Sequence, residues 1–325
     1  MAFSLKNAYL HRLFCINNSI MTMNIKNIKL NTKVIALGLA SILLASCGDS
    51  KTETETTGDE LPDTDTVKAV ALNVGGELFS VPSPIQTALL IQKSGVSYDK
   101  TILNPGSNNG QYASDFSKAL NLGIYGADLG YVSMYNQTQD ALGYLGAVKQ
   151  LADKLGVSAA FDQQTMKRIN DNISNKDSML VLVGIAYRAS DAYLKTNKRT
   201  EISSLILTGG WIESMHFSIL AYNKKPTDEI KYRIAEQKQA LGSIVKLLTS
   251  HNMPDAAELL KQLEDLAKVY EGITTKYNFV EPTTDEAKKI TYINSTTEIN
   301  ITKEQLEQIA EKVKAIREKI VSAKA

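Results

Sequence analysis

From about residue 82 onward, apolar residues recur every three to four positions along almost the whole chain, the period of helices with a buried stripe. The pattern predicts helices near 84–93, 112–136, 139–155, 163–174, 177–196, 201–222, 228–249, 254–278 and 303–323. Punctuation supports these limits. Serines and prolines at 80–84 precede the first helix, Gly156 follows another, and Pro254 stands in a first turn. Thr302 and Gln305 have the spacing of a capping box, and Asp162 with Phe161 and Met166 that of a cap and hydrophobic staple. Two stretches, 67–81 and 290–301, alternate with period two and read as strands or as extended lining. The expected fold class is all-α: an antiparallel helical bundle, with consecutive hairpins leaving a solenoid-like stacking open.

Stripe width divides the helical region, 67–325, in two. Residues 67–225 hold 27 charged side chains in 159, against 31 in 100 for 226–325, so the first part should be the more enclosed. Segments such as 179–187 and 205–212 are apolar on several faces, as buried helices are. The charged part is expected to form three helices. Ile230, Ile234, Leu241, Ile244 and Leu248 keep steps of three and four, with Gln237 in a missing place. Leu259, Leu263, Leu266, Tyr270, Ile273 and Tyr277 keep the same rhythm, as do Leu306, Ile309, Val313, Ile316 and Ile320. Such short stripes pack on one another within a bundle.

The pattern before residue 67 is different. Lys26, Lys29 and Lys33 precede an apolar run, Val34–Ser46, of 13 residues. About 20 helical residues are needed to span a bilayer, so this run has the length of a signal-peptide core. It ends in Leu44-Ala45-Ser46-Cys47, which resembles the lipobox of bacterial lipoproteins. The resemblance covers the leader only. It implies cleavage before Cys47, a diacylglycerol on the Cys47 sulfur, and an anchor in a membrane. Residues 1–46 then form the signal peptide; residues 1–20 fit no part of one, so the leader reads as starting at Met21 or Met23. Residues 48–66 follow with seven acids, one lysine and almost no apolar side chain, the composition of a disordered leash with a taut reach of about 65 Å.

Charge refines the picture. The whole chain carries 36 basic and 35 acidic side chains, a net of +1. Residues 1–46 contribute five of the basic groups and no acid, so the remainder stands at 31 against 35, or −4. That balance excludes an electrostatic nucleic-acid binder. Cys15 and Cys47 are the two cysteines, so a processed chain has no internal disulfide. The acids beside Cys47, and a texture rich in Asn, Lys, Ile and Thr, resemble helical Bacteroidota lipoproteins; the likeness transfers no functional residue. It implies an outer-membrane location, facing either way.

Candidate chemistry is sparse. The chain has no Gly-rich phosphate loop, His-Glu-x-x-His, Cys-x-x-Cys or Gly-x-Ser-x-Gly, so no catalytic residue, cofactor or metal is assigned. Glu213 and His216, three apart, share one helix face, a spacing also found in carboxylate-bridged metal bundles, but no second copy exists. Asp128, Arg188 and Asp191 interrupt apolar helices. They read either as an interhelical network in which Arg188 is the pairing cation, or, with Glu213 and His216, as the lining of a ligand or metal cleft. Tyr125, Tyr131, Tyr135, Tyr187 and Trp211 could wall such a cleft or belong to the core. His251 has the position of a helix C-terminal cap, and Gly123, Gly126 and Gly130 suggest a close helix crossing. The leading expectation is a non-enzymatic binding or scaffold role with an envelope protein partner.

Overall fold

A computed structural model describes residues 70–74, 77–81, 84–160, 163–286 and 289–322. The leader, Cys47, the acidic leash, and the Phe161 and Asp162 portion of the expected staple lie outside the described residues. The chain is a helical bundle with small antiparallel sheets. A hairpin of β1 (Val70–Val74) and β2 (Glu77–Val81) leads into α1 (Pro84–Lys93), confirming strands where the sequence alternates. Then come α2 (Asp115–Met134), α3 (Thr138–Lys154), α4 (Gln163–Asp171), α5 (Lys176–Thr196) and α6 (Thr200–Lys224). The charged portion holds α7 (Asp228–Ala235), α8 (Lys238–His251), α9 (Ala257–Glu271) and α10 (Lys303–Ser322).

Helix starts follow local hydrogen bonding. The Ser114 hydroxyl accepts from the Ser117 N–H, Asn175 from Ser178 and Thr227 from Ile230, each satisfying a donor that the first turn leaves free. The Thr302 box closes reciprocally: the Gln305 amide oxygen accepts from the Thr302 N–H at 2.8 Å, and the Thr302 hydroxyl from the Gln305 N–H at 3.2 Å. Asn252, not His251, supplies the left-handed cap of α8, at φ 45°. His251 instead faces the Ser204 hydroxyl, 3.0 Å away.

The centre of the bundle is the pair α2 and α6, and their contact explains their sequence. A Cβ on Gly123 would overlap the Ile206 carbonyl oxygen, and one on Gly209 the Leu120 carbonyl oxygen, so only glycine permits this backbone approach. Gly126 serves a different neighbour, lying under the Tyr187 ring of α5. Helices α1, α3 and α5 flank α2, while α7, α8 and α10 pack on α6. The apolar and charged portions therefore share one core. Trp211, Tyr125, Tyr131, Leu120 and Ile124 are buried in it.

Three expectations need correction. The helix at 228–249 breaks at Glu236–Gln237, where Gln237 is buried. Its side-chain oxygen accepts from the Trp211 indole N–H at 3.0 Å and its amide donates to the Arg233 carbonyl at 3.0 Å. The gap in the apolar stripe is thus a polar core position. The helix at 254–278 is a 3-10 turn (Pro254–Ala256) followed by α9, which stops at Glu271. Tyr277 continues the stripe's rhythm only by coincidence, because it lies on a strand and is exposed.

The third correction is a β-arm where a three-helix unit was expected. Between α9 and α10, β3 (Thr274–Asn278) pairs with β6 (Thr296–Asn300), and within that loop β4 (Thr283–Asp285) pairs with β5 (Ile290–Tyr292). Between the two pairs, the Val280 N–H donates to the Ser295 hydroxyl at 3.0 Å and the Asn294 amide to the Glu281 carbonyl at 3.1 Å. Those bonds join the two pairs into one ribbon. No described helix is long and apolar enough to cross a membrane.

Candidate functional site

The five polar residues singled out from the sequence fall in three places. Asp128 of α2 and Glu213 of α6 are both fully buried, and His216, one turn after Glu213, is largely so. Asp191 is separate: it accepts from Lys195 Nζ at 2.6 Å and from the Ser203 hydroxyl at 2.6 Å. Arg188 is exposed and is not the pairing cation.

That cation is Arg317 of α10. Its Nε and one terminal nitrogen meet the two Glu213 oxygens at 2.6 and 2.7 Å, a bidentate pair, and the terminal nitrogen also donates to the Ile102 carbonyl at 2.9 Å. His216 Nε2 lies 3.2 Å from the same Ile102 oxygen. Burial holds the His216 imidazole below its ordinary pKa, so the neutral ring donates there. Its hydrogen bond therefore goes to the backbone, and Glu213 is occupied by the arginine. Asp128 Oδ2 accepts from the Asn104 N–H at 3.3 Å, but its buried Oδ1 has no donor. Burial, then the adjacent Glu213 charge, push the Asp128 carboxyl well above the ordinary carboxylate range. Protonated, it becomes a donor toward Glu213, and the interior holds one negative and one positive charge.

An asparagine-rich loop surrounds this cluster. Asn104 Nδ2 donates to the Tyr112 hydroxyl at 3.0 Å and to Asn121 Oδ1 at 3.1 Å. The Tyr112 hydroxyl donates to the Val321 carbonyl at 3.2 Å and Asn121 Nδ2 to Ile320 at 3.1 Å, so the open carbonyl end of α10 is satisfied by α2 and the loop. These bonds tie the cluster, the loop and α10 into one polar network. Among the described residues, no group of three or more His, Cys, Asp or Glu could hold a metal ion. Asp128, Glu213 and His216 thus come together inside the bundle, while Asp191 and Arg188 stand apart from them.

The open space lies elsewhere, at positions with no chemical signature. A cavity of about 210 Å³ sits between α2, α3, α4 and α5, walled by Leu129, Leu145, Ala152, Ile169, Val183 and Ile206. Tyr187 walls it too, with its hydroxyl turned away onto the Gly123 carbonyl at 2.9 Å. The other expected aromatic walls are core. Tyr131 stacks with Phe217 at 4.8 Å and packs on Tyr135, while Tyr125 packs between Tyr112 and Tyr144. A wider depression of about 750 Å³ between the 100–111 loop and α3 is more polar, and its Lys100 and Asp140 pair with each other at 2.5 Å.

The second unforeseen feature is the arm. Among the described residues, six of the eight exposed large hydrophobic ones lie on it: Tyr277, Phe279, Val280, Ile290, Tyr292 and Ile293. Phe279 is 66% and Ile293 73% exposed, far beyond what scattered surface residues need. Ile290 and Tyr292 share one face of their strand pair, and Tyr277 shares a face with Ile299, which packs on the core at the arm's root. Lys276 and Glu298 stand opposite each other on the other face. Among the described residues, each strand of the ribbon has one partner, so both edges are free. No family model, no curated protein and no solved structure matches this chain.

Proposed function

We propose that the chain is a lipid-anchored protein of the cell envelope, held at the outer membrane through Cys47, with a non-enzymatic binding or scaffold role in which the β-arm grips an envelope protein. The observation that carries the reading is the concentration of exposed apolar side chains on residues 277–293. A ribbon with free edges and an aromatic, aliphatic surface is an aggregation hazard unless a partner covers it. A partner can do so by adding a strand or by packing on the side chains. The anchor is supported by the Leu44–Cys47 motif, and the acidic leash gives the domain room to reach a neighbour.

The test is site-directed photo-crosslinking in intact cells, with the reactive group placed at Phe279 or Ile293 and, as a control, at exposed Lys154 of α3. One protein captured from the arm positions alone supports the reading. A chain carrying Phe279→Ser and Ile293→Ser should keep its melting temperature and lose the capture. Equal capture from all positions, or none from the arm, overturns it. Cys47→Ser tests the anchor separately: the variant should leave the membrane fraction.

A further inference from the structure

We propose that the cavity between α2, α3, α4 and α5 is a binding site for a single acyl chain bearing a carboxylate, with the tail inside and the head at Lys149. Protein interiors are close-packed, and voids as large as this one are few. An engineered cavity of roughly 150 Å³ lined by aliphatic and aromatic side chains stays dry and takes up benzene. The present cavity is larger, at about 210 Å³, and its walls are mostly apolar. Its polar lining is Lys149, Asp153, Ser158, Ser190 and the Tyr187 hydroxyl, which is already spent on Gly123. Apart from the Ser158 and Ser190 hydroxyls the interior offers apolar wall, so a hydrocarbon fits most of its length better than a polar chain.

The mouth supplies the polar end. Lys149 and Asp153, one turn apart on α3, are exposed side chains on the lining, and Lys149 makes no ion pair among the described residues. A carboxylate head therefore has one cation to approach, with Asp153 opposing a second negative charge and disfavouring dianionic heads such as phosphate monoesters. Capacity follows from volume. At roughly 30 Å³ per heavy-atom-sized unit the cavity holds about seven carbons, which suits the distal part of a medium-length chain.

The experiment titrates the full chain, in detergent-free buffer and below micelle concentrations, with straight-chain carboxylates of six to twelve carbons and with decanol. Each added methylene should tighten binding about fourfold, the equivalent of roughly 0.8 kcal/mol, until the cavity is full near eight carbons, then level off. Lys149→Met should weaken decanoate several-fold and leave decanol unchanged. Ala186→Leu, which grows a side chain into the space from α5, should abolish both while keeping or raising the melting temperature. A gain that continues undiminished to twelve carbons, a Lys149→Met chain that binds decanoate as before, or an Ala186→Leu chain that folds and still binds overturns the proposal. If that variant does not fold, the length series on the native chain still decides.

Discussion

Replacing Asp128 by asparagine should make the protein more stable than the native chain by an amount that grows with pH. The side chain keeps its shape: the amide oxygen can accept from the Asn104 N–H as Oδ2 does at 3.3 Å, and the amide nitrogen replaces the carboxyl O–H facing Glu213. What changes is the proton. In the unfolded chain Asp128 ionises near its ordinary value of 3.8, whereas burial and the Glu213 charge keep it protonated in the fold to a much higher pH. Between those two values the folded state binds one proton more than the unfolded state. The contribution of Asp128 is therefore full below pH 3.8 and falls by about 1.4 kcal/mol per pH unit above it, until the folded carboxyl ionises. Asparagine has no proton to lose. Urea unfolding at successive pH values from 4 upward, with the denaturant slope held common, gives the difference directly. Subtracting the two chains cancels every other titrating group. An Asp128→Asn advantage that widens by about 1.4 kcal/mol per unit and then flattens is expected. Parallel stability curves would show that Asp128 is charged in the fold and refute the charge assignment.

Removing Arg317 as Arg317→Met strands Glu213 without its counter-charge in the core, and should cost about 3–5 kcal/mol in chemical unfolding. The double variant Glu213→Gln with Arg317→Met should recover a large part of that loss. Gly209→Ala should destabilise by at least about 1–3 kcal/mol, because its Cβ meets the Leu120 carbonyl. Gly242→Ala in α8, where an added methyl has open space, should instead stabilise by about 0.5–1 kcal/mol; thermal melts of the two variants would then move in opposite directions. Gln237→Leu removes the acceptor of the Trp211 indole and should cost about 1–3 kcal/mol, with a change in tryptophan fluorescence marking the altered environment.

How much of this was readable in the residues depends on whether the signal is local. Most helix starts and the Thr302 box follow from spacing along a few residues, and the stretches 67–81 and 290–301, read as strands or extended lining, carry strands among their described residues. Asp128, Glu213 and His216 were recognisable because a charge inside an apolar helix is conspicuous. Their cation was not. Arg317 sits among lysines and glutamates on an amphipathic helix, 104 residues from Glu213, and looks like any solvated side chain. The end of α9 was obscured because Ile273 and Tyr277 keep the helical rhythm past Gly272, although the β-branched run that follows favours a strand. The cavity had no signal at all, since it is formed by what side chains from five helices leave unfilled. The arm's apolar residues were visible as residues, but whether they face solvent or core depends on tertiary placement alone.

Arg317 also bears on when the molecule can finish folding. It stands 104 residues after Glu213 in the sequence, yet among the described residues it is the cation bonded to that carboxylate at the centre of the bundle. A polypeptide emerging from the ribosome makes Glu213 and the glycine crossing long before the side chain that neutralises Glu213. The buried pair therefore waits for α10. A counter-charge supplied from so far along the chain keeps the centre of the bundle from settling until α10 docks against α6.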